Sequence, residues 1–141
     1  MKKILIAADM SEMAEKVILK GVELARDLGG EYSVISVTDD TIIVPDTTAM
    51  IMPQVIDSQS EQTRSTIRGI IDRHNLQPAN VFLETGDTVD TIMDKIEEYK
   101  ANILVVGTHG RTGLDHLLLG SMAEKMIRIS PISVFVVKFK G

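Results

Sequence analysis

Short apolar runs alternate along the chain with longer stretches in which apolar residues recur every three or four positions. Five runs have the length and β-branched content of strands: Lys3 to Ala8 (KILIAA), Tyr32 to Val37 (YSVISV), Asn80 to Glu84 (NVFLE), Asn102 to Val106 (NILVV) and Ser133 to Val137 (SVFVV). Between the first two, Ala14, Ile18, Gly21, Ala25 and Leu28 repeat at helical spacing, with Ser11 placed to cap the start and Gly29-Gly30 to stop it. Ile67, Ile70 and Ile71 mark a second helix ending near Asn75. Val89, Ile92, Met93 and Ile96 mark a third, and Met122, Ala123, Met126 and Ile127 a fourth that ends before Pro131.

Strands alternating with helices predict a parallel sheet covered on both faces, because each parallel connection must cross over and right-handed crossovers predominate. Runs one, four and five are almost continuously apolar, which predicts strands buried on both faces. The expected fold is one α/β domain over residues 1–141, Rossmann-like, with an open twisted sheet. Residues 39–55 (DDTIIVPDTTAMIMPQV) break the pattern and are long for a structureless connection. They read equally as a mobile flap beside a site and as a surface loop packed through Ile42, Ile43 and Met52.

Composition narrows the function classes. With 141 residues, 44% apolar and 25% charged, the chain can enclose a core and lies far from the signature of disorder. A net charge of -5 leaves no general basic field for DNA or RNA. The absence of cysteine removes disulfides, thiolate metal sites and cysteine nucleophiles. The first apolar run is cut by Asp9, Ser11 and Glu12 before it could form a signal-peptide core or a membrane span, so a cytoplasmic location is expected.

Candidate chemistry gathers after the fourth run, in VVGTHGRTGLDHLLLGSMAE (105–124). In an open α/β sheet, ligands collect outside the carboxyl ends of the strands. Gly107 ends the strand, and Gly110 permits a turn or a close ligand approach. Gly120 and Ser121 open the fourth helix, whose first N–H groups lack intrahelical partners and favour an anion. Arg111 is the only basic side chain between Gly107 and Gly120. Phosphate binding and a plain glycine-rich turn with Ser121 as N-cap both fit this pattern. The spacing matches neither G-x-x-x-x-G-K-[ST] nor G-x-G-x-x-G, which disfavours a P-loop NTPase and a standard dinucleotide dehydrogenase.

Gly107, Gly110, Gly120 and Ser121 form G-x2-G-x9-G-S, which resembles the ATP-binding signature of the universal stress protein family. The likeness extends through ILIAADMSE, GDTVDTIMDKIEEYKANILVVGTHG and SPISVFVVK, nearly the whole chain. It implies a five-stranded sheet in the order 3-2-1-4-5, with ATP, carrying Mg2+ on its phosphates, at the carboxyl ends of strands one and four. The resemblance places the ribose hydroxyls on Asp9, whose other role would be to cap the first helix. Ala7 and Ala8 would leave room for adenine and ribose. The backbone of Val37 would meet the adenine edge, and Val106 and Gly107 would flank the ribose. Gly110, Gly120, Ser121 and Met122 would present N–H groups to the phosphates, with His109 and Arg111 beside them. Met10 stands where the family usually has glycine. The family also implies a homodimer paired through the last strand, Ser133 to Val137, which would otherwise leave an apolar edge uncovered.

No serine, cysteine or acidic pair accompanies His109 to complete a catalytic arrangement, and His109, Asp115 and His116 lack a zinc spacing. The expected function is that of an ATP-binding regulatory module whose occupancy is read by another protein, with no membrane association. Its rivals are a slow ATPase or nucleotide-transferring enzyme using the same pocket, and a nucleotide-free interaction domain.

Overall fold

The computed structural model describes residues 1–9, 11–39, 52–108 and 119–138, with only the backbone given for 52–57. In chain order the elements are β1 (Lys3–Ala7), α1 (Ala14–Leu28), β2 (Glu31–Asp39), α2 (Met52–Arg73), β3 (Asn80–Gly86), α3 (Thr88–Tyr99), β4 (Ile103–Gly107), α4 (Ser121–Ile129) and β5 (Ser133–Val137). The five strands form one parallel sheet in the order β3-β2-β1-β4-β5. β1 lies at its centre, Leu5 facing Ser33 of β2 on one side and Leu104 of β4 on the other.

Side chains alternate across this central strand and feed two cores. Ile4 and Ile6 point toward Val17, Ile18, Val22, Ile67 and Ile70 of α1 and α2. Leu5 and its neighbours Ile35, Leu104 and Val106 point toward Ile92, Ile96 and Met126 of α3 and α4. Full burial of an aliphatic side chain of this size stabilises by roughly 1.5–3 kcal/mol. This is why β1 and β4 carry almost no polar residue.

Helix ends follow local chemistry. Gly29 takes the left-handed conformation (φ 65°) that stops α1. It donates its N–H to the Arg26 carbonyl, and Gly30 donates to that of Ala25. Asp87 caps α3 by accepting from the Asp90 N–H at 3.0 Å.

Several expectations need correction. Ser11 does not cap α1: the cap is Met13, and the Ser11 hydroxyl instead accepts from the Met13 N–H at 3.1 Å, one step outside the helix. The irregular stretch ends earlier than residue 55, since α2 starts at Met52, which is therefore helical; residues 40–51, with Ile42 and Ile43, lie outside the described residues. β5 is not buried on both faces. As an edge strand paired only with β4 among the described residues, it leaves Phe135 38% exposed. In α4, Ala123 and Met126 are buried, whereas Met122 and Ile127 turn outward and are 39% and 40% exposed.

Candidate functional site

The carboxyl ends of β1, β2 and β4 open into a cavity of ≈ 330 Å³, at the lower end of the volumes that hold small molecules. Right-handed crossovers on both faces bring helix starts to the same rim, so Thr88 of α3 and Met122 of α4 join its wall. The unsatisfied N–H groups of those first turns make the rim favourable to negative charge.

At the centre, Ala7, Ala8 and Asp9 leave β1 in succession. Ala8 is tied to β2 by its N–H, which donates to the Ile35 carbonyl at 2.9 Å. The small alanine side chains leave space above the sheet. Asp9 is exposed, and its Oδ1 accepts both the N–H and the hydroxyl of Ser11, the former at 3.0 Å. Its Oδ2 has no hydrogen-bond partner among the described residues. The carboxylate is thus held by a local turn with one oxygen available, and it is not the α1 cap.

The β4 end shows why its glycines differ. A Cβ on Gly107 would lie 3.0 Å from Cγ2 of Val17 and 3.4 Å from the Met13 sulfur, so the close packing of α1 against β4 itself favours glycine there. Gly120 is the N-cap of α4 with φ -64° and ψ 155°, angles open to most residues. The backbone therefore does not demand glycine at 120. Its N–H donates to the Thr108 carbonyl at 2.7 Å, tying the helix start to the end of β4. Ser121 is the first helical residue and not the N-cap.

Of the residues singled out from sequence, Ala7, Ala8, Asp9, Val37, Val106, Gly107 and Met122 line the cavity together. Gly120 and Ser121 stand at the start of α4 without lining it. His109, Gly110 and Arg111 lie outside the described residues, as do Met10, Asp115 and His116. The structure adds wall residues that sequence reading missed: Ser36, Thr38 and Asp39 from the end of β2, Gln59 and Thr63 from α2, and Thr88 from α3. Among the described residues, no group of three or more His, Asp or Glu side chains is arranged to hold a metal ion. The arrangement offers an apolar recess, a carboxylate and helix N-termini, which suits binding of an anionic ligand with hydroxyl groups.

A model of the universal stress protein family matches residues 1–138. The universal stress protein MJ0531 of Methanocaldococcus jannaschii is 26% identical over 140 residues, covering 97% of this chain and 82% of that protein. The solved structure of the hypothetical protein MJ0577 is similar at a TM-score of 0.83 and 28% identity, over 99% of this chain and 97% of that one. A universal stress protein family protein from Arabidopsis thaliana, solved with AMP bound, has a TM-score of 0.65 at 15% identity, over 98% of this chain and 92% of its own.

Proposed function

Since the chain belongs to the universal stress protein family, we propose that its cavity binds an adenine nucleotide, ATP with Mg2+ carried on the phosphates, and that occupancy is what a partner protein reads. The observation that carries this reading is the convergence of Asp9, Val37 and Gly107, from the ends of three different strands, on one cavity beside the start of α4. Asp9 Oδ2 would accept from ribose hydroxyls, and Ala7 and Ala8 would leave room for the sugar and base. The Val37 backbone would meet the base edge, with Val106 and Gly107 flanking the ribose. The N–H groups of Ser121 and Met122 would face the phosphates. The same fold in the Arabidopsis protein holds AMP, which supports the ligand class.

Binding becomes regulation only if the nucleotide has different affinities for two conformations. Among the described residues that line the cavity no nucleophile is paired with a base, which supports reading it as a binding module. The reading extends to a single-domain, cytoplasmic homodimer joined through β5, whose outer edge pairs with no strand among the described residues and whose Phe135 is exposed. None of the described helices is long and apolar enough to cross a membrane.

The test is a calorimetric titration of nucleotide-stripped protein with magnesium-ATP, alongside Gly120→Val. Valine tolerates the backbone angles of residue 120, and its branched side chain would stand where the proposed phosphates approach the helix start. Saturable heat in the parent and none in the folded variant supports the reading. No heat in the parent at concentrations that detect a millimolar site, about 4 kcal/mol of binding, refutes it.

A further inference from the structure

The two sides of the cavity differ in chemistry. Toward α3 and α4 it is closed by Ile35, Val37, Ile92, Val106 and Met126. Toward α2 the wall is polar, with Ser36 and Thr38 from β2 facing Gln59 and Thr63, one turn apart on the helix. Ser36, Thr38 and Thr63 are only 5%, 8% and 6% exposed. The Thr38 hydroxyl lies 3.3 Å from that of Ser60. Ser36 and Thr63 make no side-chain hydrogen bond among the described residues. Yet no fully enclosed side-chain oxygen or nitrogen lacks a partner, so these two hydroxyls open on the cavity. A hydroxyl that opens on the cavity is satisfied there by solvent or by a ligand that replaces it.

We propose that this wall reads the base of the bound nucleotide, and that Thr63 and Gln59 select a 6-aminopurine. This rests on the nucleotide reading above and follows from the strand order. Gly107 and the start of α4 lie toward one end of the cavity, Asp9 on β1 in the middle, and β2 with α2 toward the other. A nucleotide with phosphates at α4 and ribose at Asp9 therefore puts its base beside Ser36, Gln59 and Thr63. A carboxamide carries a donor and an acceptor side by side, which complements the amino donor and ring-nitrogen acceptor on an adenine edge. The hydroxyls rotate to accept from the amino group or to donate to a ring nitrogen. The apolar wall opposite covers the face of the ring.

The experiment compares ATP with the triphosphate of purine riboside, which lacks the 6-amino group, by equilibrium titration of the parent, Thr63→Val and Gln59→Leu. The parent should prefer ATP by about tenfold or more, the worth of a hydrogen bond lost in a buried site. In each variant that preference should shrink while affinity for the purine analogue holds. Variants that keep the parent's preference, or that lose both ligands in equal proportion, overturn the proposal. If Thr63→Val does not fold, Gln59→Leu at its half-buried position decides alone. A parent that binds neither triphosphate refutes the nucleotide reading itself, whereas a parent that binds both equally refutes only the assignment of base selection.

Discussion

Replacing Asp9 by alanine removes one carboxylate from the centre of the cavity, and its effect can be worked from the hydrogen bonds present. Oδ1 already accepts from the Ser11 N–H and hydroxyl, while Oδ2 has no partner among the described residues. A ribose brings two hydroxyl donors, and a carboxylate oxygen can accept both. Hydrogen bonds to a charged acceptor contribute about 1.5–3 kcal/mol, and the exposure of Asp9 favours the lower figure. Two such bonds amount to about 3 kcal/mol, or roughly a hundredfold in affinity. Loss of the Ser11 turn would also loosen the loop, so a drop in ATP affinity for Asp9→Ala alone would be ambiguous. Titrating parent and variant with both ATP and its 2′,3′-dideoxy form removes the ambiguity, because loop loosening affects both ligands alike. The parent should favour ATP by roughly a hundredfold and Asp9→Ala should favour neither. If Asp9→Ala still discriminates by the parent's full factor, the carboxylate does not hold the ribose.

The other predictions concern the scaffold. A Cβ on Gly21 would lie 2.6 Å from Cγ1 and Cδ1 of the fully buried Ile6; overpacking of about 1–3 kcal/mol should outweigh the helix-propensity gain of about 1 kcal/mol. Gly21→Ala should therefore melt a few degrees lower, and a higher melting temperature would contradict the packing argument. Hydrogen bonds from Arg73 and, secondarily, His74 hold the exposed Glu15 carboxyl below its ordinary value of 4.5. Its contribution is present above that value and lost as pH falls through the lowered one, so the stability gap between parent and Glu15→Gln in urea should close in acid; an unchanged gap from neutral pH to pH 3 speaks against it. Burial, reinforced by the hydrogen bond to Glu31, pushes the Tyr99 phenol up to about 12. The stability it adds is complete below the ordinary tyrosine value of 10.0 and is lost as pH rises through the raised one. An ultraviolet titration should show an ionisation near pH 12 that Tyr99→Phe abolishes, and persistence of that step would refute the assignment.

The sheet was legible because its signal is redundant. Each strand is a short run rich in apolar residues, each of the first four is followed by an apolar stripe at helical spacing, and parallel pairing leaves few ways to connect them. What failed were the points where local pattern and tertiary position part. SVFVV reads as a fully buried strand, but at the sheet edge Phe135 is only partly covered and stays 38% exposed. Ser11 has the right side chain for a cap, yet Asp9 Oδ1 draws its N–H and hydroxyl into a turn and leaves Met13 to open α1. Gly107 and Gly120 are indistinguishable as letters in a motif. Packing against Val17 favours the first, while the angles of the second impose no such demand.

The cavity was legible in its centre and illegible along α2, for one physical reason. Periodicity locates a helix by the apolar residues it buries, and Ile67 and Ile70 gave that signal. Followed toward the amino end, the same stripe continues through Thr63 and Gln59, which line the cavity as polar residues. Hydrophobic patterning ends where the helix stops facing packed core and starts facing a recess. Two of the wall residues that sequence reading missed, Gln59 and Thr63, therefore lie on the turns of α2 that it left out. A polar residue on a buried helical stripe was the available signal: Thr63, four before Ile67 and eight before Ile71, is a hydroxyl at a core position that lines the cavity.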